Sequence, residues 1–337
     1  SNSTISDSIQ GIINFGTAEI TDFNCVNIQN NCVNNAGSMN ADSLFSNHTG
    51  QLLKHNSSGT FTNLRSNHTG VVAEISANST GLIQDVYANN SGLVIRAYGN
   101  QQDMTYTGIN ANMATKLFDF SNSDSLSINN IQGTSLNSVL LANSVNSLEI
   151  SNMEISESNS VGLAMEISTP DSVKISDTTI NGYGQTFLFS GGGTFILNDT
   201  TFLSNGKVGQ LSSSILTIEE GEWEGYSHGL HTQYSSVTVK NMNITVGEDH
   251  GTALQVLGGS LFVSEELNLT HEAQWSDSTS IGLQLIWSQI IADSVNINGF
   301  STGLSCETTS TTAIDHLSLT DNTGMGYFQA CSESQID

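Results

Sequence analysis

The sequence has very little positive charge. Its 337 residues include 7 Lys and Arg against 32 Asp and Glu, which gives a formal net charge of −25. Charged residues make up 12% of the chain, about half of the usual quarter in globular proteins. The acidity therefore reflects a shortage of cations and not a surplus of acids. Nucleic-acid binding is excluded as a function, because it needs clusters of Lys and Arg that are absent here.

Proline and long apolar runs are also scarce. Pro170 is the only proline, which excludes a proline-rich linker or a collagen-like chain. No apolar run approaches the roughly 20 residues that cross a bilayer, so we expect no membrane span. Ser1 in place of an initiator Met fits a secreted chain after signal removal, or a recombinant start. An extracellular or cell-surface location is the resulting prediction.

The four cysteines lie near the two ends of the sequence, at Cys25, Cys32, Cys306 and Cys331. None belongs to a CxxC pair, so no zinc or redox motif is supported. Cys25–Cys32 and Cys306–Cys331 are the local disulfide pairings. Links between subunits and four buried thiols remain open as alternatives.

A repeated pattern dominates the sequence from Ser125 onward. Two apolar residues separated by one position are followed by two polar residues and then by a second apolar pair of the same kind. The second apolar residue of each unit recurs with a mean step of about 23 residues, as Ile128, Ile150, Ile175, Leu197, Ile218, Val239, Val263, Ala292 and Ile314. Alternation with period two predicts strands with one buried face. Short strands and corners in about 23 residues form one rung of a β-solenoid, in which neighbouring rungs bury a continuous core.

The polar pairs between the strands predict tight corners. Asn129-Asn130, Ser151-Asn152, Ser176-Asp177 and Asn198-Asp199 occupy these positions. Asn, Asp and Ser tolerate the left-handed backbone conformation that such a corner needs.

The N-terminal part contains a half-length version of the repeat, in which Asn precedes a Ser- or Thr-containing step and a glycine. Its asparagines follow one another at steps of 9, 11, 11 and 11 residues, at Asn47, Asn56, Asn67, Asn78 and Asn89. Two such steps make one rung. We therefore predict one continuous solenoid domain over residues 1–337 with roughly 14 rungs, in which residues 1–16 form an N-terminal cap or an exchanged strand.

This pattern resembles the pectate-lyase-like superfamily. The resemblance implies an all-β fold, a single-stranded right-handed parallel β-helix. It does not imply a chemistry, because that fold supports enzymes, tailspikes, adhesins and coat subunits.

The enzymes of that superfamily supply a test for catalysis. Its lyases use a basic residue with calcium, and its hydrolases use clustered Asp with Gly-His-Gly and Arg-x-Lys motifs. The nearest matches are Ser227-His228-Gly229 and Asp249-His250-Gly251, which lack the first glycine, and no Arg follows Arg96. We expect no catalytic site. His228 and His250, or Glu222 and Glu224 as a glycosidase acid pair, are the weaker alternative.

Acidic side chains raise the question of a metal. Glu248, Asp249, Glu265 and Glu266 belong to a series of carboxylates that the period places on consecutive rungs. Such oxygen-only clusters suit Ca²⁺. A solvated acidic face is the favoured interpretation, so no metal or other cofactor is predicted and calcium is a weak alternative.

Nine tripeptides match the N-glycosylation pattern Asn-x-Ser/Thr. Their asparagines are Asn2, Asn47, Asn56, Asn67, Asn78, Asn89, Asn198, Asn243 and Asn268. We expect some of them to carry glycans. The alternative is that Asn is only the corner residue and that Ser or Thr follows by turn preference.

These observations favour a structural function. We predict a secreted, disulfide-stabilised subunit of a self-assembling surface filament, sheath or S-layer-like coat, whose partners are further copies of itself and attached N-glycans. Residues 241–337 contain no Lys or Arg, so trypsin-like proteases have no site there. A polysaccharide lyase or glycoside hydrolase is the alternative, and an adhesin or glycan-binding module is the third.

Overall fold

The computed structural model describes residues 3–99, 101, 103–156, 161–247, 250–272, 279–307, 309–323 and 327–328. Every regular element in these ranges is a β-strand, and every strand pair is parallel. The chain forms a parallel β-solenoid of about 14 turns with a spacing of about 22 residues. The predicted all-β solenoid is confirmed, while its right-handed winding stays a prediction.

The chain divides into two compact units, residues 1–157 with 165–172 and residues 158–164 with 173–337. The first unit contains most or all of strands β1 (Ser3–Ser6), β2 (Ile12–Asn14), β3 (Thr17–Val26), β4 (Asn31–Asn35), β5 (Ser38–Asn47), β6 (Gln51–His55), β7 (Ser58–Asn67), β8 (Val71–Ile75), β9 (Thr80–Asn89), β10 (Leu93–Tyr98), β11 (Met104–Asn112), β12 (Lys116–Thr134), β13 (Ser138–Ser156) and β14 (Leu163–Ser168). The second contains most or all of β15 (Ser172–Ser190), β16 (Thr194–Ser212), β17 (Ile215–Gly225), β18 (His228–Gln233), β19 (Ser236–Val246), β20 (Thr252–Leu257), β21 (Leu261–His271), β22 (Ile281–Ile286), β23 (Gln289–Asn298), β24 (Thr302–Cys306), β25 (Thr311–Thr320) and β26 (Tyr327–Phe328).

The corners predicted from the polar pairs are present. Asn130, Asn152, Asp177 and Asp199 have φ angles of 56°, 51°, 48° and 50°. These values lie in the left-handed region, which short polar side chains adopt more readily than others. The polar pair thus bends the chain while the alternating residues on either side stay in the ladder.

Each turn places its apolar residues in columns along the core. In the second unit, Leu197 pairs with Ile218, which in turn pairs with Val239. All three side chains are buried. This column confirms the repeat as the sequence predicts it for these turns.

One turn differs from the prediction by a single residue. Val239 pairs with Ser264 and not with Val263, so Phe262 and Ser264 point inward while Val263 lies half-exposed on the outer face. A one-residue slip in register exchanges the two faces of a strand. Burying the larger Phe262 ring favours the observed register.

The core of the second unit contains a cluster of aromatic rings. Phe187 contacts Phe189, Phe202 and Trp223 at centroid distances of 4.5, 5.8 and 5.4 Å. The indole Nε1 of Trp223 donates a hydrogen bond of 3.2 Å to the hydroxyl of Thr200. Trp223 is 1% exposed, so this ring both fills core volume and has its polar atom satisfied.

Candidate functional site

The first turn presents an open ladder edge. Strand β1 pairs with β3, and β2 pairs with β4. Within the described ranges, no strand pairs with the other edge of β1 or β2. Unpaired N–H and C=O groups at such an edge can receive a further strand.

Apolar side chains on this same turn are exposed. Phe15 is 81% exposed and Ile9 is 63% exposed. Ile13, on β2, is also exposed. Apolar surface beside unpaired backbone groups is typical of an interaction surface. We call these three side chains, with the open edges of β1 and β2, the N-terminal edge.

A disulfide lies in the turn below the N-terminal edge. Cys25 and Cys32 are bonded, with their Cα atoms 5.8 Å apart, and both are fully buried. This confirms the first local pairing. Cys306 is buried and is also disulfide-bonded, whereas Cys331 lies outside the described residues.

Three polar side chains are stacked inside the core below the N-terminal edge. Asn14 Nδ2 donates to Asn35 Oδ1 at 2.8 Å, and Asn35 Nδ2 lies 3.1 Å from His55 Nδ1. His55 Nε2 lies 3.3 Å from the carbonyl oxygen of Thr80. Because a carbonyl can only accept, Nε2 carries the hydrogen and Nδ1 accepts from Asn35. The stack therefore requires neutral His55.

Acid is expected to destabilise the first unit through His55. Burial lowers the pKa of His55, although its bond to Thr80 acts in the opposite direction. The unfolded chain, with an ordinary His pKa of about 6.5, binds the proton before the folded chain does. The stability that neutral His55 contributes is therefore complete above pH ~6.5 and declines as the pH falls below it, by at most about 1.4 kcal/mol per pH unit. Urea unfolding of the wild type and His55→Asn between pH 7.5 and 5 checks this. An equal loss of stability in both proteins would contradict it.

Four asparagines and a threonine form a ladder along one outer corner of the first unit. Asn67 Nδ2 donates to Asn47 Oδ1 at 3.3 Å, Asn89 to Asn67 at 3.1 Å and Asn112 to Asn89 at 3.0 Å. Thr134 Oγ1 donates to Asn112 Oδ1 at 2.9 Å. Three of the predicted glycosylation asparagines therefore stack on consecutive turns.

The residues after these asparagines explain their tripeptides structurally. His48, His68 and Asn90 adopt left-handed φ angles of 53°, 51° and 48°. The Ser or Thr that follows each of them is buried; for example, the hydroxyls of Thr49 and Thr69 lie 3.3 Å apart. The imidazole rings of His48 and His68 stack at 4.7 Å. The corner thus uses each residue of Asn-x-Ser/Thr for folding.

The other glycosylation candidates differ in exposure. Asn78 is exposed at a corner with a φ angle of 62°, and the buried serine there is Ser79 at the next position. Asn243 is exposed, and its Oδ1 accepts from Asn268 at 2.9 Å. Asn56 and Asn198 are half-buried. Asn2 lies outside the described residues.

The two candidate histidines do not lie in one column. His228 pairs with Thr252, so His250 precedes the aligned position by two residues. His250 Nδ1 lies 2.7 Å from the Thr279 hydroxyl. The turn from His228 spans 24 residues and not 22, because local turn lengths vary around the mean. The expected stacking of these histidines is therefore wrong.

A third histidine, which sequence analysis does not single out, shares the strand of His228. His231 is half-buried, and its pKa is lowered mainly by burial and further by the nearby charges of Lys207 and His228. Lys207 pairs with His228 across the ladder. The arrangement brings together three basic groups and no carboxylate base from β16 or β18, so it does not form the predicted hydrolase motif.

The candidate carboxylates also alternate with neutral residues. Glu222 pairs with Asn243 and Glu224 with Thr245. Glu222 lines a groove of about 220 Å³, and Asp199, Glu220 and Asn241 lie in the same groove. Glu266 pairs with Asn241 on one side and Ser294 on the other.

Acidic residues therefore do not fall on consecutive turns in this column, contrary to the expectation for Glu265 and Glu266. Within the described ranges, no group of three or more His, Cys, Asp or Glu side chains is arranged to hold a metal ion. Glu248 and Asp249 lie outside those ranges.

A buried column of serines was not anticipated from the sequence. Ser214 N–H donates to Ser235 Oγ at 3.3 Å, and Ser235 N–H donates to Ser260 Oγ at 3.1 Å. Ser288 N–H donates to Ser310 Oγ at 3.3 Å in the same way. The available signal is a serine that recurs at steps of 21, 25, 28 and 22 residues. This column closes the corner that carries the exposed side chains of Tyr234 and Trp287.

No helix among the described residues is long and apolar enough to cross a membrane. Comparison of the chain with known proteins finds no matching family model, no similar curated protein and no similar solved structure.

Proposed function

We propose that this protein is an extracellular structural protein that assembles end to end with further copies into a filament, sheath or coat. The observation that carries the proposal is the N-terminal edge, where Phe15 and Ile9 are exposed beside unpaired strands. A solenoid can continue its ladder by accepting the strand of another copy at such an edge.

The last turns of the second unit supply a complementary surface. In β23, Val295 and Ile297 are fully buried, whereas their partners in β25, Leu317 and Leu319, are half-exposed. Within the described part of the chain, β25 pairs only with β23. Joining β25 of one copy to β1 of another would bury both apolar surfaces. Because the two surfaces differ, this contact is heterologous and generates an open filament.

The interior beneath the N-terminal edge supports this role. The Cys25–Cys32 disulfide and the Asn14–Asn35–His55 stack hold the second and third turns in fixed positions. A rigid end loses less conformational freedom when a partner binds. The disulfide also fits the extracellular location that we propose, because disulfides persist in oxidising compartments.

N-glycans form part of the proposal, with Asn78 as the leading acceptor. Its side chain is exposed, while Asn67 and Asn89 use their amides in a ladder. Turns about 4.8 Å apart leave little room for glycans on neighbouring asparagines. Intact mass of the native chain, with and without Asn78→Gln, checks this assignment.

Sedimentation velocity tests the assembly. We expect the wild-type chain to form oligomers that grow with protein concentration, and the double variant Ile9→Lys/Phe15→Lys to remain monomeric. The double variant Ile215→Lys/Tyr226→Lys is the matched control, because Ile215 and Tyr226 are also exposed apolar residues and the charge change is identical. A monomeric wild type at every concentration, or equal loss of oligomers in the control, would overturn the proposal.

A further inference from the structure

Two exposed aromatic side chains lie on one corner of the second unit. Tyr234 is 64% exposed and Trp287 is 63% exposed. Gln233 pairs with Leu257, and Leu257 pairs with Ile286. The residues that follow these three are Tyr234, Gly258 and Trp287, so the two rings lie on the same column, two turns apart. This separation is about 10 Å.

The backbone at both aromatic residues is unusual. Tyr234 and Trp287 have φ angles of 51° and 52°. Bulky side chains rarely adopt this left-handed region, since it brings their Cβ atom close to the backbone. Such conformations persist where surrounding structure enforces them, and they are frequent at ligand sites. Here the buried serine column, through Ser235 and Ser288, fixes the backbone immediately after each ring.

Glycine separates the two rings. A Cβ atom added at Gly258 would lie 2.9 Å from the Tyr234 ring, so this ring packs against the Gly258 backbone and keeps its other side exposed. Leu257 and Ile286 flank the rings on one side, and Leu261 lies half-exposed on the other. We call Tyr234, Leu257, Gly258, Leu261, Ile286 and Trp287 the aromatic corner.

Charge distinguishes this surface from the rest of the protein. Residues 233–238, 257–263 and 286–291 include no charged side chain. Exposed Glu265 and Asp293 lie at the border. An acidic polymer would be repelled by this border and by the net charge of −25. Pairing the aromatic corner with itself in a second copy would bring like charges together, which costs free energy.

A neutral sugar chain fits these observations. The C–H faces of sugar rings pack on the faces of aromatic side chains, and sugar hydroxyls bond to side-chain amides. Gln233 and Gln289 lie beside the two rings in sequence, and Gln289 is exposed. We infer that the aromatic corner is a binding site for a neutral polysaccharide, with Tyr234 and Trp287 each stacking on one sugar residue. This inference is independent of end-to-end assembly, which uses the N-terminal edge.

Titration calorimetry with cellohexaose, laminarihexaose, mannohexaose and chitohexaose tests the inference, with hexagalacturonate as the acidic control. We expect at least one neutral hexasaccharide to bind and the acidic one not to bind. Trp287→Ala and Tyr234→Ala should each weaken binding by about tenfold or more. Tyr226→Ala is the control, because Tyr226 is 57% exposed but lies outside the aromatic corner.

Circular dichroism confirms that the variants remain folded before binding is compared. Three results would overturn the inference. They are the absence of binding to every neutral hexasaccharide, equal weakening by Tyr226→Ala, and a loss of oligomers, and not of sugar binding, in Trp287→Ala.

Discussion

Trp223→Ala is expected to reduce the free energy of unfolding by about 3–5 kcal/mol, the range for removing a large buried aromatic side chain. The indole is 1% exposed and contacts Phe187 and Phe202 at centroid distances of 5.4 Å each. Its removal leaves a cavity among these rings. It also removes the hydrogen-bond donor to buried Thr200.

The chain supplies a matched control for this substitution. Trp287→Ala makes the same chemical change at a side chain that is 63% exposed, and we expect a change within about 0.5 kcal/mol. Urea unfolding followed by circular dichroism measures both. Similar losses in the two variants would show that Trp223 does not lie in the aromatic core described for the second unit.

Asn35→Ala is expected to cost about 2–4 kcal/mol, because it breaks the buried polar stack at its centre. Asn35 Oδ1 accepts from Asn14 and from the N–H of Gly37, and its Nδ2 bonds to His55. The substitution leaves these partners unsatisfied inside the core. Asn40→Ala, at an exposed position on β5, should have little effect.

The pH dependence separates this mechanism from a simple loss of packing. Without Asn35, His55 Nδ1 no longer faces a hydrogen-bond donor, so protonation should become easier. We expect the stability of Asn35→Ala to fall less steeply than that of the wild type between pH 7 and 5. Unfolding titrations at several pH values measure the slopes. A steeper slope in the variant would contradict the neutral tautomer assigned to His55.

The repeat length, the corners and the first disulfide could be predicted from the sequence, because each depends on local chemistry. Asn130 and Asp199 bend the chain as short polar residues do. Cys25 and Cys32 are close enough in sequence to meet across one corner.

Contacts between turns were harder to predict, since they require the length of each individual turn. The mean period suggested that His228 and His250 align, but this turn contains 24 residues and His228 pairs with Thr252. The register of Val263 failed for a related reason. Phe262 and Val263 are adjacent apolar residues, so alternation alone does not decide which of them points inward.

The aromatic corner escaped sequence analysis because its parts lie far apart in the chain. Tyr234, Gly258 and Trp287 share a column only after turns of unequal length are paired. No single segment has the apolar character of an exposed patch. The buried serines next to Tyr234 and Trp287 have a similar explanation, since serine is common throughout this sequence.

The most direct test of end-to-end assembly is a disulfide formed between two copies. Thr4, on β1, and Ser318, on β25, lie on the two strand edges that the assembly would join. Adjacent strands are about 4.8 Å apart, which falls within the Cα separation that a disulfide spans. Chains carrying Thr4→Cys and chains carrying Ser318→Cys are mixed under mild oxidation, with Thr238→Cys replacing Ser318→Cys in the control. The account predicts a cross-linked pair of the two different chains only with Ser318→Cys. No cross-link, or an equal yield with Thr238→Cys, would contradict it.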